Sequence, residues 1–155
     1  DEPALMIECL NGYRLKEKLP QNIGEFTVPL GKAELIREGS DMTIVSYGST
    51  LRVVEHAADE LEKLGINVEI IDPQTLLPFD TDRLCVRSLR KTNKLLVVAE
   101  DAPGGSTAFI LQHILEHQNG YQFLDAKPRT YSDIAAIDCV MSELLTHIPV
   151  HIFKI

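Results

Sequence analysis

Apolar and polar positions alternate in blocks along most of this chain, and the period of each block predicts an element. Met42 to Tyr47 (MTIVSY) is β-branched and apolar and predicts a strand. Ser49 or Thr50 is placed to cap the helix that follows, on which Leu51, Val54, Ala58 and Leu61 recur at helical spacing. Gly65 stands where a helix C-terminus favours glycine. Val68 to Ile71 predicts the next strand, broken by Asp72, Pro73 and Pro78, and Thr81 to Lys91 predicts a shorter helix carrying Leu84 and Leu89. Leu95 to Ala99 is an unbroken apolar run, which predicts a strand buried on both faces. Beyond Gly104 and Gly105 a third helix is predicted from Thr107 to Gln118, with Ala108, Leu111 and Leu115 on one face, ended by Asn119 and Gly120.

Strand and helix signals that alternate in this way predict a parallel α/β sheet. Crossovers between parallel strands are right-handed, so three strands should share one sheet with helices on both sides. Any crevice then lies at their carboxyl ends, which carry Gly48 and Ser49, Asp72 and Pro73, and Glu100 to Ser106. Outside this block, Ala4 to Leu10 (ALMIECL) predicts a short strand. Asn11 to Leu30, with Gly12, Pro20, Gly24 and Pro29, predicts a polar connecting arm. Asp133 to His147 places Ile134, Ile137, Met141 and Leu144 or Leu145 at helical spacing, and Val150 to Phe153 is expected as an edge strand.

Composition narrows the setting. With 155 residues, 45% hydrophobic and 25% charged, the chain suits one globular domain rather than two. A formal charge of −8 argues against nucleic acid or an anionic membrane as partner, since both would repel it. Cys9, Cys85 and Cys139 are odd in number and widely spaced, which fits a reducing cytoplasm better than a disulfide framework or a zinc cage. The apolar runs are far shorter than the roughly 20 residues of a membrane-spanning helix, so a soluble protein is expected. The chain opens at Asp1 and passes almost directly into apolar Ala4 to Ile7, which reads as a segment of something longer.

Candidate chemistry is sparse. The loop Glu100 to Thr107 (EDAPGGST) joins the most buried strand to a helix, and its Glu100, Asp101, Gly104, Gly105 and Ser106 form a candidate anion-binding or interface loop. It matches neither dinucleotide nor P-loop spacing, and a tight turn packed on a partner subunit is the expected role. His113 and His117 stand four apart on a predicted helix and could reach one metal ion, but no third ligand is identifiable and no metal site is assigned. His56, His147 and His151 are scattered singly. There is no G-x-S-x-G, and adjacent Glu100 and Asp101 point in different directions, which is poor geometry for a two-carboxylate acid–base pair. The residues by themselves indicate a three-layer α/β domain without a self-sufficient active site.

Several stretches together resemble one family. PLGKAELIREGSDMTIVSYGS (Pro29 to Ser49), LEKLGINVEIIDPQTLLPFD (Leu61 to Asp80), SLRKTNKLLVVAED (Ser88 to Asp101), the glycine pair and LDA at Leu124 to Ala126 occur in the order seen in the C-terminal domain of thiamine-diphosphate-dependent 2-oxo acid dehydrogenase beta subunits. The resemblance implies a three-layer α/β/α domain with a mixed five-stranded sheet, four strands parallel and one, near Ala33 to Arg37, antiparallel. It implies that thiamine diphosphate and magnesium belong to other domains of the full enzyme, with no catalytic or cofactor-binding residue here. It implies alpha and beta subunits of the dehydrogenase as partners, a homo-oligomeric assembly, and docking of the subunit-binding domain of a dihydrolipoyl acyltransferase core. Docking would use Asp125 and the terminal carboxylate of Ile155.

This sequence departs from the family at three places. Gln74 stands where many members carry Arg, Lys127 stands where Pro is frequent, and the segment after Tyr131 lacks the usual proline-rich, aromatic stretch. Two alternatives stay open: the equivalent domain of a transketolase or deoxyxylulose-phosphate synthase, and a free-standing module binding an anion or nucleotide at the Gly104–Gly105 loop.

Overall fold

The computed structural model describes residues 3–16 and 18–132. Five strands form one sheet: β1 Glu34–Arg37, β2 Met42–Ser46, β3 Val68–Asp72, β4 Leu95–Val98 and β5 Arg129–Tyr131, in the order β1-β3-β2-β4-β5. β2 pairs in parallel with both β3 and β4, and β4 with β5. β1 alone runs antiparallel, against β3, with a register shift between Leu35 and Arg37. The mixed sheet of four parallel strands and one antiparallel is therefore as expected.

Helix α1, Ser49–Lys63, covers one face and buries Val54, Ala57, Ala58 and Leu61 against Ile44, Ile70 and Val98. The other face carries α2, Leu84–Thr92, and α3, Ser106–Gln112, which put Cys85, Leu89 and Ile110 against Val45, Ile71 and Val97. Successive residues of a strand point to opposite faces, so continuous apolar strands feed two cores at once. Every residue of β2 and of β4 is buried. Each fully buried aliphatic side chain contributes about 1.5–3 kcal/mol relative to exposure.

Local details differ from expectation at four points. Neither Ser49 nor Thr50 caps α1. Gly48 holds the cap position at φ 62°, Ser49 is the first helical residue, and the Thr50 hydroxyl donates to the Tyr47 carbonyl at 2.6 Å. The second helix begins at Leu84 rather than Thr81, because the Asp80 carboxylate accepts from the backbone N–H of Leu84 (2.8 Å) and Cys85 (2.9 Å), as a cap does. The third helix changes pitch, with His113–His117 forming a π-helical turn. Finally, Ala4 to Leu10 is not a strand; its apolar residues are exposed, and Leu10–Arg14 forms a 3-10 turn. A strand needs a hydrogen-bonded neighbour, and none among the described residues pairs with it.

The helix expected at Asp133 to His147 and the edge strand at Val150 to Phe153 lie outside the described residues. Among the described residues, β1 and β5 form the two sheet edges.

Candidate functional site

The carboxyl ends of the parallel strands come together as the topology requires. Tyr47 and Gly48 follow β2, Pro73 follows β3, and Glu100 and Asp101 follow β4. Two contacts join the turns after β2 and β4, and a third closes the loop after β4. The Ser49 hydroxyl donates to Glu100 Oε2 at 2.8 Å, Tyr47 Oη contacts Ser106 Oγ, and Ser106 Oγ donates to Asp101 Oδ2 at 2.8 Å. Asp101 also accepts from the backbone N–H of Ser106, and its Oδ1 accepts from Ala102 at 2.7 Å. Hydrogen bonds from Ser106 and Ala102 hold the Asp101 carboxyl below the usual carboxylate range.

The glycine loop thus brings its own anion. Asp101 takes the Ser106 donors that an external anion would need, Gly105 packs against the Asp101 carboxylate, Glu100 turns to Ser49, and Gly104 lies exposed at φ 90°. Beside the loop, Tyr47, Pro73, Gln74, Thr75 and Leu76 line an open depression of about 50 Å³. Small-molecule sites run to roughly 300–1,000 Å³. Burial, together with the Glu34 charge, raises the pKa of neighbouring Asp72 against a hydrogen bond from Gln74 N–H. Gln74 Nε2 donates to Glu34 Oε2 at 2.6 Å, so a neutral amide tethers β1 where an Arg would supply charge.

Asp125 lies elsewhere, at the corner where α2 turns into β4. Its backbone N–H donates to the Asn93 carbonyl at 3.0 Å, and Asn93 Nδ2 donates to the Phe123 carbonyl at 2.7 Å. Arg90 sits over the Phe123 ring, 4.8 Å from its centroid. The Asp125 carboxylate is exposed and stands 3.5 Å from Lys94 Nζ. Ile155 lies outside the described residues, as do His147, His151 and Cys139.

His113 and His117 come within 4.4 Å between ring centroids, and Phe79 and Phe109 extend the stack. Among the described residues no three side chains of metal-ligating type converge. Partial burial, with the neighbouring His117, lowers the His113 pKa. Sequence reasoning missed Asp80, whose buried carboxylate caps α2 and raises the Cys85 thiol far above its usual range, secondary to the desolvation of that thiol. Its only sequence signal was an Asp just before a helical run.

A family model described as transketolase, C-terminal domain, matches residues 31–144. The chain belongs to this family. Among curated proteins, this transketolase C-terminal domain is 34% identical over 126 residues to the acetoin:2,6-dichlorophenolindophenol oxidoreductase subunit beta of Bacillus subtilis, covering 81% of the chain and 36% of that subunit. It is 39% identical over 101 residues to the pyruvate dehydrogenase E1 component subunit beta of the same organism, covering 64% and 30%. With the 2-oxoisovalerate dehydrogenase subunit beta it shares 36% over 121 residues, covering 74% and 36%. The chain spans about a third of the length of these relatives. Among solved structures, a split-gene transketolase described as an inactive beta4 tetramer aligns with a TM-score of 0.63 at 21% identity, over 80% of this chain and 43% of that one. That likeness concerns the fold.

Proposed function

We propose that this chain is the C-terminal assembly and docking domain of a thiamine-diphosphate-dependent dehydrogenase beta subunit, acting on a 2-oxo acid or related substrate. The observation that carries the assembly role is the N-terminal segment ahead of β1. Leu5, Ile7, Leu10, Leu19 and Phe26 are 89%, 83%, 79%, 80% and 65% exposed, and so many large apolar side chains on one short segment suit contact with another domain or subunit. The similarity to three beta subunits supports taking those neighbours as the remainder of the beta subunit, a second beta subunit and the alpha subunit. Thiamine diphosphate and magnesium would belong to those parts, together with the acyl pocket, and the domain alone would be inactive.

Docking of an acyltransferase subunit-binding domain falls on Asp125 in this reading. Its exposed carboxylate is already 3.5 Å from Lys94, so an incoming cation competes with that ammonium. Ile155 would supply the second carboxylate. The reading as a free-standing anion module is less well supported, because Asp101 engages the donors of its loop.

Sedimentation velocity tests the assembly role. The 155-residue chain should self-associate as concentration rises, and Leu5→Ser with Phe26→Ser should shift it to monomer; a strictly monomeric wild type would count against the reading. Calorimetric titration with the subunit-binding domain of a cognate acyltransferase tests docking, and binding weakened by Asp125→Ala is the expected result.

A further inference from the structure

The second helix is cationic to a degree the rest of the chain is not. Residues 83–99 hold Arg83, Arg87, Arg90, Lys91 and Lys94 and no carboxylate. The rest of the chain, with ten cations against 23 carboxylates, stands at −13. Arg83, Arg87, Arg90 and Lys91 are all exposed, and Cys85, Val86 and Leu89 carry the buried side of the helix.

These cations are unequally neutralised. Lys91 pairs with Glu69, Lys94 faces Asp125, and Arg90 lies on the Phe123 ring. Arg83 and Arg87 meet no carboxylate within ion-pair distance among the described residues. Exposed Lys127 adds a further cation beside Asp125. Arg87 and Arg90, three apart on α2, share one side of the helix, and Arg83 stands immediately before its first residue, in the left-handed region at φ 55°. The Arg83 carbonyl accepts from the Arg87 N–H at 3.0 Å, so Arg83 sits at the helix start and the stretch to Arg90 spans on the order of 10 Å at 1.5 Å per residue, the reach of three to four residues of extended peptide.

We infer that the exposed face of α2, formed by Arg87 and Arg90 with Arg83 at its N-cap, binds an acidic protein segment. Guanidinium forks match carboxylates in geometry as well as charge. The choice of a short acidic peptide over other polyanions follows from the surrounding charge: nucleic acid or an anionic membrane would extend beyond the patch and meet the −13 of the remaining chain. A segment of a few residues stays within the patch. This surface is distinct from the apolar arm and does not depend on the dehydrogenase reading.

The test is fluorescence anisotropy of a labelled four-residue Glu/Asp peptide titrated with the 155-residue chain at about 50 mM salt, where screening is moderate. Saturable binding is expected, weakened about tenfold or more by Arg83→Gln with Arg87→Gln, since both guanidinium groups are lost. The charge-matched control Lys16→Gln with Lys18→Gln, on the arm, should bind as wild type does. Each replaced side chain is exposed, so thermal melting should show all variants folded. Equal weakening by both pairs would overturn the proposal, as would no saturable binding. Equally tight binding of a single-stranded oligonucleotide of the same charge would overturn the choice of an acidic protein segment.

Discussion

A side chain on Gly105 would land on the Asp101 carboxylate, the group that ties the loop after β4 to the start of α3. The glycine is required by this close approach and not by its backbone angle, since its φ is −79°. Gly105→Ala should therefore cost about 1–3 kcal/mol by displacing Asp101 from Ser106. Urea denaturation of the variant checks this, and a loss below about 0.5 kcal/mol would mean that the loop yields freely.

The same contact sets a pH dependence. Asp101 has a folded pKa below its ordinary value of 3.8, the Ser106 hydroxyl being the largest cause. A depressed carboxylate contributes stability that is present above the ordinary value and lost as pH falls through the folded one. An NMR titration of the Asp101 carboxyl carbon should show a midpoint below 3.8, and Ser106→Ala should move it upward. A midpoint unchanged by Ser106→Ala would sever the assigned link.

The fold was legible wherever burial wrote a period into the sequence. Val97 and Val98 are fully buried, as the unbroken apolar run Leu95 to Ala99 predicted for β4, and Ile44 and Val45 are fully buried in β2, whose β-branched apolar stretch predicted a strand. β5 was not legible, because Arg129, Thr130 and Tyr131 form a short edge strand with two exposed residues and no apolar run. The first apolar stretch misled for the opposite reason: Leu5, Met6 and Ile7 have strand-like composition but no strand to pair with among the described residues. Within the candidate site, the gathering of turns at the strand ends followed from topology alone. The occupation of the glycine loop by Asp101 did not, because it depends on one rotamer and one close approach that spacing does not encode.

His113 titrates in the opposite chemical sense to Asp101 but with the same sign for stability. Burial, with the neighbouring His117, lowers its folded pKa below the ordinary 6.5, so the folded protein resists protonation there. Its contribution is complete above 6.5 and declines as pH falls toward the depressed value, because the unfolded chain binds the proton first. Replacing it with Gln should flatten the stability profile just below 6.5. Chemical denaturation of both proteins at a series of pH values measures the difference, and parallel profiles would show that the stack with Phe79, Phe109 and His117 leaves the imidazole unperturbed.

Thr43 is the hub of a buried hydroxyl cluster between β2 and α2. Its Oγ1 lies 2.5 Å from Ser88 Oγ and 2.6 Å from Thr92 Oγ1, and all three residues are buried. Thr92 can also donate to the Ser88 carbonyl, at 3.2 Å, whereas the Ser88 hydroxyl meets no other partner among the described residues. Thr43→Val keeps the shape and the β-branch while removing the hub, so it should cost about 1–3 kcal/mol, the desolvation penalty of a buried polar group left unpaired. Adding Ser88→Ala to Thr43→Val removes the orphaned hydroxyl, and the double variant should recover part of that loss. Denaturant midpoints of the two single variants and the double variant complete the cycle. Strict additivity of the two losses would show that the hydroxyls are not coupled and that α2 is held on the sheet by Cys85 and Leu89 packing alone.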